Sequence, residues 1–327
     1  MESEYIAWLQ SEVQRRQSIP GARFVPLGIG DDAAIVESAT ETVCCADLLA
    51  EGTHFISREP ADWEQVGRKA LAVNLSDMAA MGAKPETALL SLLVNRDQGL
   101  QQAQAVTRGL LKLADEFGVV LVGGDTCSWN GGLVVNVTVL GRLLNGRPLQ
   151  RRGAQAGDAI LVTGSLGGSI LKHHWAFTPR CREIDLIYPS FVVHAATDIS
   201  DGLVRDLSHV AEASAVGARL FAEQIPISAA AEELARIGTP SATHLPLINH
   251  WPVESMSLQH ALYDGEDFEL LIVMPPNEAD RLLAAVSSGQ LNIGCHLTKI
   301  GEATRELGLQ IVTPSGLQPL PIGGYQH

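Results

Sequence analysis

Residues 62–94 read DWEQVGRKALAVNLSDMAAMGAKPETALLSLLV, and this stretch decides the class of fold. Its first part is apolar at Ala70, Leu71, Val73, Leu75, Met78 and Met81, and the spacing predicts a helix over 62–81. Asp62 is expected to cap its start, with Gln65 three residues later as in a capping box. Gly82 and Pro85 are expected to stop it. The run 87–94 that follows is short, apolar and reads as a strand. Working outward, further strands are expected at 33–37, 42–46, 119–123 and 133–141, with a helix at 100–116. The second half repeats the alternation, with strands at 159–164, 191–197, 268–274 and 309–313. Its expected helices are 277–288 and 201–215, the latter closed by Gly217. An N-terminal amphipathic helix is expected to use Tyr5, Ile6, Leu9 and Val13. Alternation of this kind predicts an α/β (α+β) protein. The polar, glycine-rich and basic stretch 145–158 separates the halves and predicts domains at 1–147 and 148–327.

Composition narrows the function. The chain has 327 residues, 46% of them hydrophobic, enough for two ordinary cores. A formal net charge of −14 argues against nucleic acid or an anionic membrane as partner, since both call for a positive face. Five cysteines without a C-x-x-C pair suit a reduced protein better than a disulfide framework or a zinc site. The acidic N-terminus lacks the pattern of a signal peptide, and the most apolar run, 88–94, is too short to span a bilayer. A cytoplasmic protein is expected. The five tryptophans are scattered, as packing residues are.

The chemistry resides in carboxylates set beside glycine or at the ends of apolar runs: GIGDDAAIV (28–36), CADLLAEGTHF (45–55), NLSDMAAMG (74–82), GGDT (123–126), AGD (156–158), TDISDGL (197–203) and YDGEDFEL (263–270). Such groups are costly to desolvate unless paired or metal-bound. GIGDDA satisfies the glycine spacing of a dinucleotide fingerprint, but Asp31 and Asp32 would repel a bare pyrophosphate there. No P-loop or protein-kinase motif is present. Acids approach phosphates only with cations between them, and isolated aspartates with almost no His/Cys spacing select magnesium over zinc. Asp32, Asp47, Asp77, Asp125, Asp198 and Asp201 are the candidate ligands. Asp77 is the most informative, because it interrupts an apolar helix three residues after Asn74. Phosphoryl transfer fits this inventory, since positioning and charge neutralisation supply most of its acceleration. The glycine-rich turns at 123–126 and 164–168 and the pair Arg151–Arg152 fit the same chemistry. His54, near the acids, is a candidate substrate contact.

Taken together, GIGDDAAIV, DLLAEGTHF, GRKALAVNLSDMAAMGAKP, GGDT, RRGAQAGDAILVTGSLGG, TDISDGLVRDLSHVAEASAVGA and GEDFELL strongly resemble the thiamine-monophosphate kinase family, in the family's order and across residues 28–271. The resemblance implies the two-domain aminoimidazole-ribotide synthetase-like fold, with an N-terminal metal- and ATP-binding domain that dimerises through its sheet and a C-terminal α/β domain. It implies ATP-dependent phosphorylation of thiamine monophosphate to thiamine diphosphate by direct in-line transfer with several Mg²⁺ ions, in a homodimer. Matched residue by residue, Asp32, Asp47, Asp77, Asp125, Asp198 and Asp201 fall on magnesium ligands. Gly124, Asp125, Arg151 and Ser200 fall on ATP contacts, and His54, Glu266 and Tyr325 on positions lining thiamine phosphate. The chain departs from the family pattern at Cys45-Ala46, where Ser-Thr is usual, at Asp264, where Gly is usual, and in a shortened segment, 165–190, that runs through HHWAFTPRCREIDLIYP and lacks the usual arginine-proline run before Pro179-Arg180. Two further readings therefore stay open: a relative that activates another phosphate or a carboxylate with ATP, and a catalytically weak nucleotide- or thiamine-phosphate-binding protein.

Overall fold

The computed structural model describes residues 8–9, 11–13, 15–16, 42–57, 60–171, 173–238 and 255–325. Asp32 and the strand expected at 33–37 lie outside the described residues, as do Tyr5 and Ile6. The chain divides into two compact units, Met1–Met78 with Ala83–Leu143, and Ala79–Gly82 with Leu144–His327.

In the first unit the order is β1 (Thr42–Ala50), α1 (Pro60–Ala80), β2 (Ala83–Asn95), α2 (Gly99–Phe117), β3 (Val120–Trp129) and β4 (Val134–Leu143). The four strands form one sheet in the order β1-β4-β2-β3, antiparallel at β1–β4 and β4–β2 and parallel at β2–β3, with α2 as the crossover. Side chains alternate across the sheet, so rows of paired residues share a face. The row Asp47–Val137–Leu90–Gly124 belongs to the face whose β4 and β2 residues are buried, and the next row, Leu48–Asn136–Ser91–Asp125, belongs to the other. That second face also carries Leu93 and Trp129 and is open among the described residues, with Leu48 55% and Trp129 42% exposed.

Helix α1 begins at Pro60, a favoured first helical residue. Asp62 therefore lies in the first turn and is not the cap, although its charge still favours that end of the helix. Gly82 follows with a left-handed φ of 61°, its N–H donating to Ala79 O at 3.0 Å. Pro85 does not stop the helix; it sits inside β2, where the register shifts between Pro85 and Thr87. From Lys69 to Ala80 every residue of α1 is buried except Asp77. Helices α1 and α2 approach backbone to backbone: a Cβ on Gly67 would lie 1.8 Å from Val106 O, and one on Gly109 1.8 Å from Glu64 O.

The second unit contains β5 (Ala159–Thr163), α3 (His173–Ala176), α4 (Cys181–Ile187), β6 (Ala195–Asp198), α5 (Leu203–Ser214), β7 (Gly217–Phe221), α6 (Ala229–Ile237), α7 (Met256–Tyr263), β8 (Leu270–Met274), α8 (Pro276–Ser287), β9 (Leu297–Thr304), β10 (Leu309–Thr313) and β11 (Gly316–Pro319). Its sheet runs β11-β10-β7-β9-β5-β8-β6. Strands β5, β8 and β6 are buried at every residue, as in a sheet covered on both faces. The core packs Ile160, Val162, Leu203, Leu207, Leu271 and Ile300.

Two sequence expectations change here, and one helix appears that was not expected. The strand expected over 191–197 is confined to Ala195–Asp198. Helix α5 ends at Ser214 with Ala215 in the left-handed conformation (φ 54°), so Gly217 does not close it. Gly217 instead opens β7, where a Cβ would meet Glu306 O at 1.8 Å. Helix α6 was not expected from apolar periodicity, yet its ends are signalled: Ser228 Oγ accepts from Ala231 N, and Gly238 takes the left-handed position (φ 75°).

Candidate active site

In the first unit the site residues hang on the contact between β1 and α1. Asp47 and Cys45 both face α1, and the Cys45 thiol donates to Asn74 O at 3.4 Å. Burial, then the charges of Asp77 and Asp47, push that thiol well above its ordinary pKa. Cys45 therefore stays protonated, occupied by a helix carbonyl. Asn74 is fully buried; its Nδ2 donates to Ala70 O at 3.0 Å, while Oδ1 has no hydrogen-bond partner among the described residues. An unpaired buried acceptor costs about 1–3 kcal/mol. It lies one helical turn from Asp77, the single residue of that stretch to escape burial. Asp77 is thus not the polar margin of a half-buried helix; it is an acid set within an otherwise buried segment. His54 follows β1: its Nδ1 accepts from Ala50 N at 3.1 Å, and the fully buried Lys69 donates to its carbonyl at 3.1 Å.

Gly124 and Asp125 are on β3. A Cβ on Gly124 would lie 1.7 Å from Leu90 O, so the close pairing of β2 and β3 admits only glycine there. Asp125 is exposed and accepts from Thr126 N at 2.8 Å. Strand register sets Asp125 on the open face and Asp47 on the other, so within this unit the two are not brought together.

The second unit gathers residues from distant segments. Asp198 ends β6, and Ser200 and Asp201 form the turn into α5. Glu266 N donates to Ser200 O at 2.7 Å, and Phe268 N to Ile199 O at 2.8 Å, tying the 264–269 loop to that turn. Tyr325 N donates to Asp201 O at 3.0 Å, which brings the C-terminal tail to the same place. Gly324 makes this seat possible, since its φ is 122° and a Cβ would lie 2.3 Å from Asp201 O. Asp198, Ser200, Asp201, Glu266 and Tyr325 thus belong to one neighbourhood. Asp206, a residue the sequence reading did not select, lies beneath them, 1% exposed, accepting from Asp201 N at 3.0 Å. Its carboxyl is pushed well above the ordinary range by burial and then by the charges of Asp198 and Asp201, with Arg151 acting the other way. Arg151 is therefore placed beside the acids.

The acids of the 264–269 loop divide by role. Asp264 accepts from Gly168 N at 2.9 Å and pairs with His260 Nδ1 at 2.8 Å; Asp267 accepts from Gly167 N at 2.9 and 3.0 Å. Glu269 accepts from Thr163 Oγ1 at 2.6 Å and pairs with Arg180 at 2.5 Å. Burial disfavours the Arg180 charge, but the hydrogen bond and charge of Glu269 outweigh it and raise its pKa. These three acids are 1–3% exposed. The N–H groups of Gly167 and Gly168 are thereby taken, so this part of the glycine-rich turn does not offer them to a phosphate. Glu266 differs: it adopts a left-handed φ of 63°, and its side chain is 34% exposed.

Magnesium fits this donor set. Among the described residues no three His, Cys, Asp or Glu side chains group into a cage for a metal ion. Magnesium asks for no such cage, being held by one or two carboxylates with water and phosphate oxygens completing the shell. The unpartnered Asn74 Oδ1 near Asp77 and the crowding of Asp198, Asp201 and Asp206 would both be relieved by a nearby cation.

Residues 30–143 match the family described as AIR synthase related protein, N-terminal domain, and residues 155–312 match AIR synthase related protein, C-terminal domain. A thiamine-monophosphate kinase of Rhodopirellula baltica is 36% identical over 318 residues, covering 94% of this chain and 91% of that one. The crystal structure of thiamine-monophosphate kinase from Stenotrophomonas maltophilia K279a superposes with a TM-score of 0.75 at 31% identity, over 92% of this chain and 94% of that one. The structure of AaThiL complexed with AMPPCP and TMP gives a TM-score of 0.70 at 25% identity, over 98% and 96%.

Proposed function

This chain belongs to the thiamine-monophosphate kinase family, built from the two AIR synthase related domains, and on that footing we propose that it transfers the γ-phosphoryl group of ATP to thiamine monophosphate, giving thiamine diphosphate. The observation that carries the proposal is the convergence of Asp198, Ser200–Asp201, Glu266 and Tyr325 through the backbone bonds Glu266 N–Ser200 O and Tyr325 N–Asp201 O. Residues so far apart in the chain are drawn together where a charged substrate has both carboxylates and a neighbouring arginine to meet. The relative complexed with AMPPCP and TMP supports ATP as co-substrate.

Transfer is direct and in line: an oxygen of the acceptor phosphate forms a bond to the γ-phosphorus as the bond to the β,γ-bridging oxygen breaks, and ADP leaves. Asp47, Asp77 and Asp125 in the first unit, Asp198 and Asp201 in the second, and Asp32 would hold several Mg²⁺ ions. Magnesium bound to them supplies neutralisation of phosphoryl charge. Gly124 and Ser200 contact ATP, and Arg151 meets a phosphate as a fixed cation. His54, Glu266 and Tyr325 line the thiamine phosphate. No side chain of the set forms a covalent intermediate; positioning is the protein's contribution. Domains divide near 147/148, the first carrying metal and ATP contacts and the dimer surface.

The open face of the first unit's sheet, with Leu48, Leu93 and Trp129, supports a homodimer formed through it, since apolar faces of this kind are covered by a partner. Leu48→Glu should then shift the chain from dimer to monomer by light scattering; an unchanged dimer would remove this face from the interface. No helix among the described residues is long and apolar enough to cross a membrane. The decisive assay supplies ATP, Mg²⁺ and thiamine monophosphate and follows thiamine diphosphate. Absence of product at saturation would refute the kinase reading, and ATP turnover indifferent to thiamine monophosphate would point to another acceptor.

A further inference from the structure

The short helix α3 lies along the 264–269 loop, and it and its flanking residues are fastened to that loop at three points. Ser169 Oγ donates to Gly265 O at 2.5 Å, His173 Nε2 lies 3.1 Å from Asp267 O, and Phe177 stacks on Phe268 with centroids 4.2 Å apart. Between these anchors His174 turns its Nδ1 to Glu266 Oε2 at 3.6 Å, and its ring packs against Trp175 at 4.9 Å between centroids. Of the acids in this loop, Glu266 is the least buried, with a left-handed backbone (φ 63°) and a side chain 34% exposed. Strain of this sort at a non-glycine residue persists where surrounding contacts enforce it. A carboxylate beside two aromatic rings is a receptor for a flat cation: the carboxylate supplies charge and the ring faces supply a quadrupole that attracts positive charge.

The geometry points to His174 and Trp175 as the specificity-determining residues that, with Glu266, receive the cationic heteroaromatic part of the substrate, the thiazolium of thiamine monophosphate. This rests on the kinase reading and extends it to two residues outside the set taken from the family resemblance. The phosphate end of the substrate then extends toward Asp198 and Asp201, which the loop's bond to Ser200 O holds nearby. The departure of this chain in the shortened segment 165–190 acquires a role: it carries the aromatic wall of the ring subsite.

Steady-state kinetics on the full chain, with thiamine monophosphate and ATP varied separately, test the assignment. Trp175→Leu keeps an apolar side chain, though a smaller one, and removes the π face; it is expected to raise KM for thiamine monophosphate about tenfold with KM for ATP within twofold, and Trp175→Phe should recover most of the loss. His174→Ala is expected to raise the same KM selectively. The uncharged thiazole phosphate, used as a competitive inhibitor, should bind wild type and Trp175→Leu about equally, because it lacks the cation. A wild-type chain with no turnover of thiamine monophosphate would sink the kinase reading itself. Wild-type turnover with both variants unchanged in that KM would overturn this inference alone, as would equal rises in the KM of both substrates, the mark of a structural role. Should Trp175→Leu lack the wild-type melting transition, His174→Ala decides by the same criterion.

Discussion

Replacing Gly109 or Gly67 with alanine should loosen the first unit and disable its acids together. Each new Cβ would lie 1.8 Å from a carbonyl oxygen of the facing helix, Glu64 O for position 109 and Val106 O for position 67. That is about 1.5 Å short of an ordinary contact, and neither obstacle is a side chain that can swing away. The helices must part, and a gap of even 0.5–1 Å forfeits roughly a quarter to a half of each dispersion contact across it. Overpacking costs about 1–3 kcal/mol where side chains can adjust, and backbone against backbone should exceed that range. Better helix propensity returns close to 1 kcal/mol, leaving a net loss of about 3 kcal/mol. At about 4 °C per kcal/mol the first unit's melting transition should fall by roughly 12 °C. Trp63, buried on α1, reports this unfolding by fluorescence in a urea or thermal titration. Because α1 also carries Asp77, its displacement should lower kcat/KM by about 10²-fold, the cost of an ångström-scale misplacement. The double variant should lose less than the sum of the two, since one separation relieves both clashes. Losses below about 1 kcal/mol in both single variants, with full activity, would refute the close approach of α1 and α2.

Three more outcomes bear on the site and its support. Asp77→Asn and Asp125→Asn should each lower kcat by about 10²-fold or more with the melting transition retained; near-normal turnover in both would show the magnesium ligands misassigned. Arg180→Met should cost about 3–5 kcal/mol in urea unfolding by leaving the buried Glu269 carboxylate without its ion pair, and adding Glu269→Gln should restore part of the loss. Asp267 is held well above the ordinary carboxylate range by burial, with the Gly167 N–H opposing in part. A carboxyl with a raised folded pKa stabilises the fold at low pH, and that contribution is lost as pH rises from about 4 through the folded value. Asp267→Asn should therefore flatten this part of the stability profile and make the protein relatively more stable at pH 8 than at pH 5. An unchanged slope in paired urea titrations would mean that Asp267 is ionised in the folded chain.

Much of the fold is legible in the sequence where burial is one-sided or complete over a long run. The stretch 62–94 announces a buried helix and a strand because apolar residues recur with the right spacing, and the structure places them at Pro60–Ala80 and Ala83–Asn95. Strand β7 and helix α4 escape such reading because each is short and held by its neighbours rather than by its own pattern. The end of α5 is misread for a related reason: Ala215 is driven into the left-handed conformation, while Gly217 serves the close pairing of β7. Tertiary contact outbids the local preference of glycine there.

The acidic motifs divide along the same line. By themselves the residues establish an excess of aspartate beside glycine, the exclusion of bare phosphate binding and the choice of an oxygen-loving cation, because charge and ligand softness belong to residue type. Their motifs also carry the family resemblance. Which acids stay exposed is a matter of tertiary structure. In DGEDFE the sequence presents Asp264, Glu266, Asp267 and Glu269 as equals, yet three are buried and consumed by Gly168, Gly167, Thr163, His260 and Arg180, while Glu266 turns outward. Likewise Asp47 and Asp125 look alike on paper, and strand register puts them on opposite faces of one sheet. The physical reason is that a carboxylate's role is set by what desolvates it and what donates to it, and those partners lie far away along the chain.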